Sequence, residues 1–135
     1  MREPDRLECE ALFGEGYEET MLRRSVDVST LCWSLTFDGV TGAVFGVAPI
    51  GSLLSNDGAP WLIGTPLIDK YRGAFIKLNK PYIRKMLDAY PRLINMVDCR
   101  NVKSVAYLKR MGFRLIDPVP AGPNNMPFFP FFMEA

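Results

Sequence analysis

The chain of 135 residues contains no histidine. That absence removes the commonest general base, the usual activator of serine and cysteine nucleophiles and the commonest metal ligand. Ser-His-Asp and Cys-His chemistry are therefore excluded on this chain by itself. Cysteine is scarce too. Cys9, Cys32 and Cys99 stand far apart with no C-x-x-C pair, so neither a metal site nor a disulfide framework is expected, and the odd count suits a reducing compartment. An excess of charge is also missing. Sixteen basic and fifteen acidic residues leave a formal net charge of +1, so no nucleic-acid partner and no acidic tail are indicated. The N-terminus, MREPDRLECE, is charged rather than apolar, which is neither a signal peptide nor a membrane span. Repeats, heptads and domain linkers are absent as well, so residues 1–135 are expected to form one domain with one core.

What is present is best read from residues 93–113, LINMVDCRNVKSVAYLKRMGF. An apolar run (Leu93, Ile94, Met96, Val97) is too short for a helix and long enough for a buried strand, and Asp98, Cys99 and Arg100 close it. Asn101 occupies the N-cap position of a helix, with Ser104 three residues on, and Val105, Leu108 and Met111 recur along one face. Gly112 stops that helix and Phe113 opens the next apolar run.

Upstream, residues 5–13 read as a short helix ended by Gly14 and Gly16. Residues 17–30 read as a second, with Glu18 and Glu19 in its first turn and Arg23 and Arg24 further along, an order that suits the helix dipole. Residues 31–37 alternate as a strand, Asp38-Gly39 signals a hairpin, and residues 40–50 return as a strand apolar on both faces, hence central. Gly42 and Gly46 within it point to close approach or a bulge rather than a phosphate cradle. Residues 52–60 read as a loop, 61–65 as a third strand cut by Pro66, and 67–74 as irregular chain. Phe75, Leu78, Tyr82, Ile83, Met86, Leu87 and Tyr90 then fall at helical spacing over residues 72–90. Pro81 either starts that helix as N1 or kinks it. After a strand at 113–116 and a turn-rich stretch at 120–127, the tail MPFFPFFM is apolar enough to need burial or a partner. Its two prolines argue against a central strand position along its whole length.

Asn101-x-x-Ser104 followed by Met111-Gly112-Phe113 resembles the closing signature of the GNAT fold, the acetyl-CoA-dependent N-acetyltransferases. At the level of phrases, Phe45-Gly46-Val47-Ala48-Pro49, Trp61-Leu62-Ile63-Gly64-Thr65, Val97-Asp98-Cys99-Arg100-Asn101 and Leu108-Lys109-Arg110-Met111-Gly112-Phe113 resemble a bacteriophage family. That family is the GNAT-like internal virion protein A type of short-tailed phages, and the resemblance spans nearly the whole chain. It implies an α/β single domain: a mixed central sheet with antiparallel N-terminal strands, then a parallel pair, flanked by helices. It also implies a V-shaped gap between the strands ending at Gly64 and Asp98. The family's first strand is missing from the succession and would precede Met1. A bare edge at Leu31–Phe37 would then invite a protein partner or self-association, with the FFPFF tail as the other docking surface. Location would be host cytoplasm or virion, with no membrane contact.

The same resemblance implies where chemistry would lie. Cofactor contacts would fall on Gly64, Thr65, Arg72, Gly73, Ala74, Asn101 and Ser104. The family's R/Q-x-x-G-x-G/A phosphate loop is not met, since only Arg72-Gly73-Ala74, or a longer non-glycine loop from Thr65 to Ala74, stands there. Asp98 and Tyr107 are the catalytic candidates, as base and as acid for the leaving thiolate. Family spacing puts Leu108, not Tyr107, at the acid position, and one residue is a rotation of about 100° on a helix, so Tyr107 is expected to point away. Glu8, Glu10 or a held water are the other candidate bases. Asp98 could instead pair with Arg100 or Arg110 or cap the next helix. Asn101 serves as a cap, a cofactor contact or both, and Cys99 reads as buried and inert rather than nucleophilic. Two functions remain open: a GNAT-like phage scaffold with no cofactor, or an active N-acetyltransferase using acetyl-CoA.

Overall fold

A tight turn builds the first hairpin. Asp38 and Gly39 both adopt positive φ (51° and 80°), the geometry whose twist matches that of two antiparallel strands. It joins β1 (Leu31–Phe37) to β2 (Val40–Pro49). There follow β3 (Asp57–Gly64), α1 (Pro66–Lys70), α2 (Arg72–Ala89), β4 (Arg92–Asp98), α3 (Val102–Met111), β5 (Arg114–Leu115), β6 (Val119–Ala121) and β7 (Met126–Glu134). The computed structural model describes residues 25–51 and 56–135, with residues 3, 4, 6 and 7 near the start. Of the expected helix at 17–30, residues 25–28 are helical, Ser29 and Thr30 are not, and residues 17–24 lie outside the described residues, as does most of the helix at 5–13. Among the described residues no helix is long and apolar enough to cross a membrane.

The strands form one mixed sheet in the order β1-β2-β3-β4-β7-β5, with β6 also on β7. All pairings are antiparallel except β3 with β4, and the sheet is flanked by helices, the α/β architecture expected. Among the described residues β1 pairs with β2 alone. Two stretches depart from expectation. Residues 57–60 extend β3 instead of belonging to a loop, because β2 is long enough to pair with them as far as Pro49↔Gly58. Residues 66–70 are helical rather than irregular, with Pro66 at the first helical position, where its missing N–H costs nothing.

Prolines decide where the ladders stop. The parallel pair has only two rungs, Asp57↔Arg92 and Gly58↔Leu93. Arg92 donates its N–H to Asn56, so in this register the donor for the Ile94 carbonyl would be the N–H of residue 60. Residue 60 is proline and has none. Beyond it the strands part, and the Asn95 side chain takes up the loose ends, donating to the Pro60 carbonyl at 2.8 Å while accepting from the Met96 N–H at 2.8 Å. At the closed end Arg92 grips Asp57 with two bonds of 2.8 and 2.7 Å.

The aromatic tail is strand β7, with β4 along residues 128–134 on one side and β6 (126–128) and β5 (131–132) on the other, so it is interior over part of its length and not all of it, as its prolines led one to expect. Its prolines are tolerated because each falls where a neighbour ends. Pro127 accepts from Cys99 but cannot donate back, and β4 has stopped at Asp98. Pro130 accepts from Ile116 but cannot return the bond, and β5 has stopped at Leu115.

The helices cover one face. Phe75, Ile76, Ile83 and Met86 of α2 are buried at helical spacing against Ala43, Phe45 and Val47 of β2. Phe45 meets Phe75 and Tyr82 edge-on at 6.5 and 5.4 Å between centroids. Pro81 lies inside α2, not at its start, and on its exposed face, where water can satisfy the carbonyl it frees. Leu108 and Met111 of α3 join Leu93, Val97, Phe113 and Phe131 in the same core.

Gly46 sits where β1 presses closest on β2, and a Cβ there would stand 2.4 Å from the Leu31 carbonyl oxygen. Gly73, in the first turn of α2, has nothing within 4 Å of that position. Gly46→Ala is accordingly expected to lower stability by about 1–3 kcal/mol. Gly73→Ala is expected to raise it by about 0.5–1 kcal/mol. Urea denaturation of the two variants measures both, and equal effects would contradict the packing described.

Candidate functional site

The parallel strands end side by side at Gly64 and Asp98, and each feeds a helix, so residues from β3, α1, α2 and α3 meet at one end of the sheet. At the β4 end, every polar side chain has a structural task. Asn101 is buried, and its side-chain oxygen accepts the Ser104 N–H at 3.4 Å as the N-cap of α3. Asp98 is 1% exposed. It accepts the Arg100 N–H at 2.8 Å and the Arg100 Nη2 at 2.7 Å, so of its expected roles the pairing with Arg100 is the one seen. Cys99 is half-buried, and burial first, then the Asp98 charge, push its thiol pKa up, away from the reactive thiolate.

At the β3 end, Thr65 gives both its N–H (2.9 Å) and its hydroxyl (3.1 Å) to the Gly42 carbonyl. It flanks α1 without a side-chain capping bond. Tyr71 joins α1 to α2, stacked on Phe37 at 4.8 Å and 13°. A five-residue helix therefore occupies the connection where the resemblance implied a glycine-rich loop. Gly73 and Ala74 are exposed in the first turn of α2, and a Cβ at Gly73 would meet nothing of this chain within 4 Å.

Between α2 and α3 lies a cavity of about 20 Å³, lined by Leu62, Ile68, Asp69, Arg72, Phe75, Lys103, Ser104 and Tyr107. It holds about one water molecule. Three expected site residues, Arg72, Ser104 and Tyr107, are brought together here. Gly64, Thr65, Gly73, Ala74, Asp98 and Asn101 do not line it, and Glu8 and Glu10 lie outside the described residues. Tyr107, expected from the register to point away from the place of a leaving thiolate, turns toward α2 and lines this cavity. Ser104 and Tyr107 are three residues apart on the face of α3 that meets α2, while Leu108 turns into the core.

What fills the space between the helices is largely aromatic. Phe75 lies 5.3 Å from Tyr107 between ring centroids, and Lys103 meets Asp69 across the mouth at 3.3 Å. Asn79, 3% exposed, donates from Nδ2 to the Tyr107 hydroxyl, while its Oδ1 is buried without a partner. Burial pushes the Tyr107 pKa up to about 12, and the Asn79 bond offsets only part of that. Phe75, Asn79, Asp69 and Lys103 were not expected here. For Asn79 a signal exists: it is the polar interruption of an otherwise apolar stripe running from Phe75 to Met86.

No protein-family profile matches the chain, and no curated protein matches it in sequence. Its fold, by contrast, is shared with solved acetyltransferases of the GNAT family. An acetyltransferase of that family from Streptococcus pneumoniae superposes with a TM-score of 0.63 at 13% identity, covering 92% of this chain and 78% of the other. An acetyltransferase from Bacillus subtilis, solved in complex with CoA, gives 0.67 at 8% identity over 89% and 86%. Ribosomal-protein-alanine N-acetyltransferase from Brucella melitensis gives 0.66 at 12% over 90% and 78%. The chain thus has the GNAT fold.

Two measurements follow from the buried phenol. Its folded pKa lies above the ordinary 10.0, so the unfolded chain loses this proton first as pH rises. Stability from this group is whole below pH 10 and falls from there toward about 12, and Tyr107→Phe removes that slope in melting temperature against pH. Phe at 107 also strips the Asn79 amide of its partner. Adding Asn79→Leu should restore stability relative to Tyr107→Phe alone, by about 1–3 kcal/mol in denaturant titration.

Proposed function

We propose that this GNAT-fold chain works as a scaffold in bacteriophage particle assembly or as an internal virion component, its acyl-transfer parts having lapsed. The observation that carries this reading is the state of the cleft between α2 and α3. Among the described residues only about 20 Å³ lies open between the two helices, with the Phe75 and Tyr107 rings in contact beside it, which favours a cleft too tight for a pantetheine arm. Groups acyl transfer would call on are occupied elsewhere: the Asp98 carboxylate by Arg100 and the Thr65 hydroxyl by Gly42. A phenol held protonated up to about pH 12 is poorly matched to proton transfer near neutrality. These features favour a site that does not take up a nucleotide thioester in this arrangement. Docking to a protein or to a second copy would use the edge of β1 or the half-buried aromatic residues of β7, in host cytoplasm or virion.

A second reading has its own support. The strands do part beyond Pro60, Tyr107 does face the cleft, and a structure of the same fold holds CoA. On that reading the chain is an acetyl-CoA-dependent N-acetyltransferase of a host protein or other acceptor.

Melting curves with and without millimolar acetyl-CoA decide between them. A ligand at one hundred times its Kd adds about 2.7 kcal/mol, a shift of several degrees. The scaffold reading predicts no shift. A clear rise, weakened by Arg72→Ala, would replace it with the enzyme.

A further inference from the structure

The net charge of +1 conceals an uneven distribution. Residues 66–114 carry twelve of the sixteen basic residues and only three of the fifteen acidic ones. Both long helices fall in that span and lie on one face of the sheet. Along α2, Lys77, Lys80, Arg84 and Lys85 are all exposed, and Asp88 is the only acidic residue of the helix. On α3, Lys109 and Arg110 are exposed in the last turn, and no acidic residue occurs in that helix.

From this arrangement we propose that the outer face of α2 and α3 binds the phosphate backbone of duplex nucleic acid without regard to sequence. Lys77, Lys80 and Arg84 recur at three and four residues, so they form one stripe along the helix. At 1.5 Å per residue the stripe from Lys77 to Arg84 spans about 10 Å, the rise of about three base pairs. An acidic protein is the other polyanion that such a face could meet. Protein interfaces, however, are built around a buried apolar or aromatic centre, and this face offers only the separate aliphatic side chains Leu78 and Val102. Single-stranded nucleic acid wants aromatic platforms, and the one ring here, Tyr82, is half-buried with the Lys85 ammonium 5.1 Å from its centroid. Backbone phosphates need neither feature, only spaced cations. The inference does not depend on the scaffold reading, and it uses no residue of the cleft.

Fluorescence anisotropy of a labelled duplex of about 20 base pairs, titrated with the full chain from about 50 to 200 mM salt, tests it. Binding is expected for unrelated sequences alike, weakening steeply with salt. The triple variant Lys77→Gln, Lys80→Gln, Arg84→Gln should lower the slope of log affinity against log salt by about three and weaken low-salt binding by about tenfold or more. Arg114→Gln, on the β5 edge of the sheet, should leave that weakening absent. A melting curve checks that the triple variant is folded; if it is not, Lys77→Gln and Lys80→Gln singly should each lower the slope by about one. No binding at the lowest salt, an unchanged slope in folded variants, or tighter binding of a polyglutamate chain of equal charge would each overturn the proposal.

Discussion

One absent hydrogen-bond donor shapes the sheet. Pro60 stands where the parallel pairing of β3 and β4 would take its next bond, and it has no N–H to give. The two strands are gripped at one end by the Asp57–Arg92 pair and then separate, with the Asn95 amide bridging the point of separation. Everything that meets above the fork is positioned by that divergence: α1 and α2 follow one arm, α3 the other, and the cavity lies between them. Exposed ion pairs contribute little in general, so the Asp57–Arg92 contact sets register more than it sets stability.

An opening built into the backbone does not depend on the chemistry beside it. The fork needs Pro60 and the ends of β3 and β4, none of which has to touch a ligand. The polar residues around it are engaged in structural bonds, Asp98 with Arg100, Thr65 with Gly42, Asn101 with the first turn of α3. This separation of scaffold from chemistry is why a shared fold at 8–13% identity fixes the architecture and leaves activity to be argued from the site.

Much of the architecture was legible because local signals agreed with it. Asn101 and Gly112 bracket α3, with Gly112 at φ 99°, and Asp38-Gly39 makes its hairpin turn. What was not legible depends on which neighbours an element meets. Prolines in the aromatic tail argued against a central position along its whole length, which the pairing agrees with, but that each falls where an adjoining strand has ended belongs to register and not to composition. Motif spacing did not reveal that the Tyr107 ring meets Phe75 and Asn79 of α2, because such contacts depend on which helix lies opposite. Summed charge likewise said nothing about its placement, since an acid-rich first half cancels a base-rich second.

The bareness of the β3–β4 seam has a mechanical corollary. The seven-stranded layer consists of two plates, β1-β2-β3 and β4-β7 with its short companions, stitched by two rungs, one guanidinium clasp and the Asn95 amide. Within each plate the long strands are laced along most of their length. Flexing of least cost therefore runs along that seam, between the plate that leads into α2 and the plate that leads into α3, with the tilted Phe75 and Tyr107 rings lying across it.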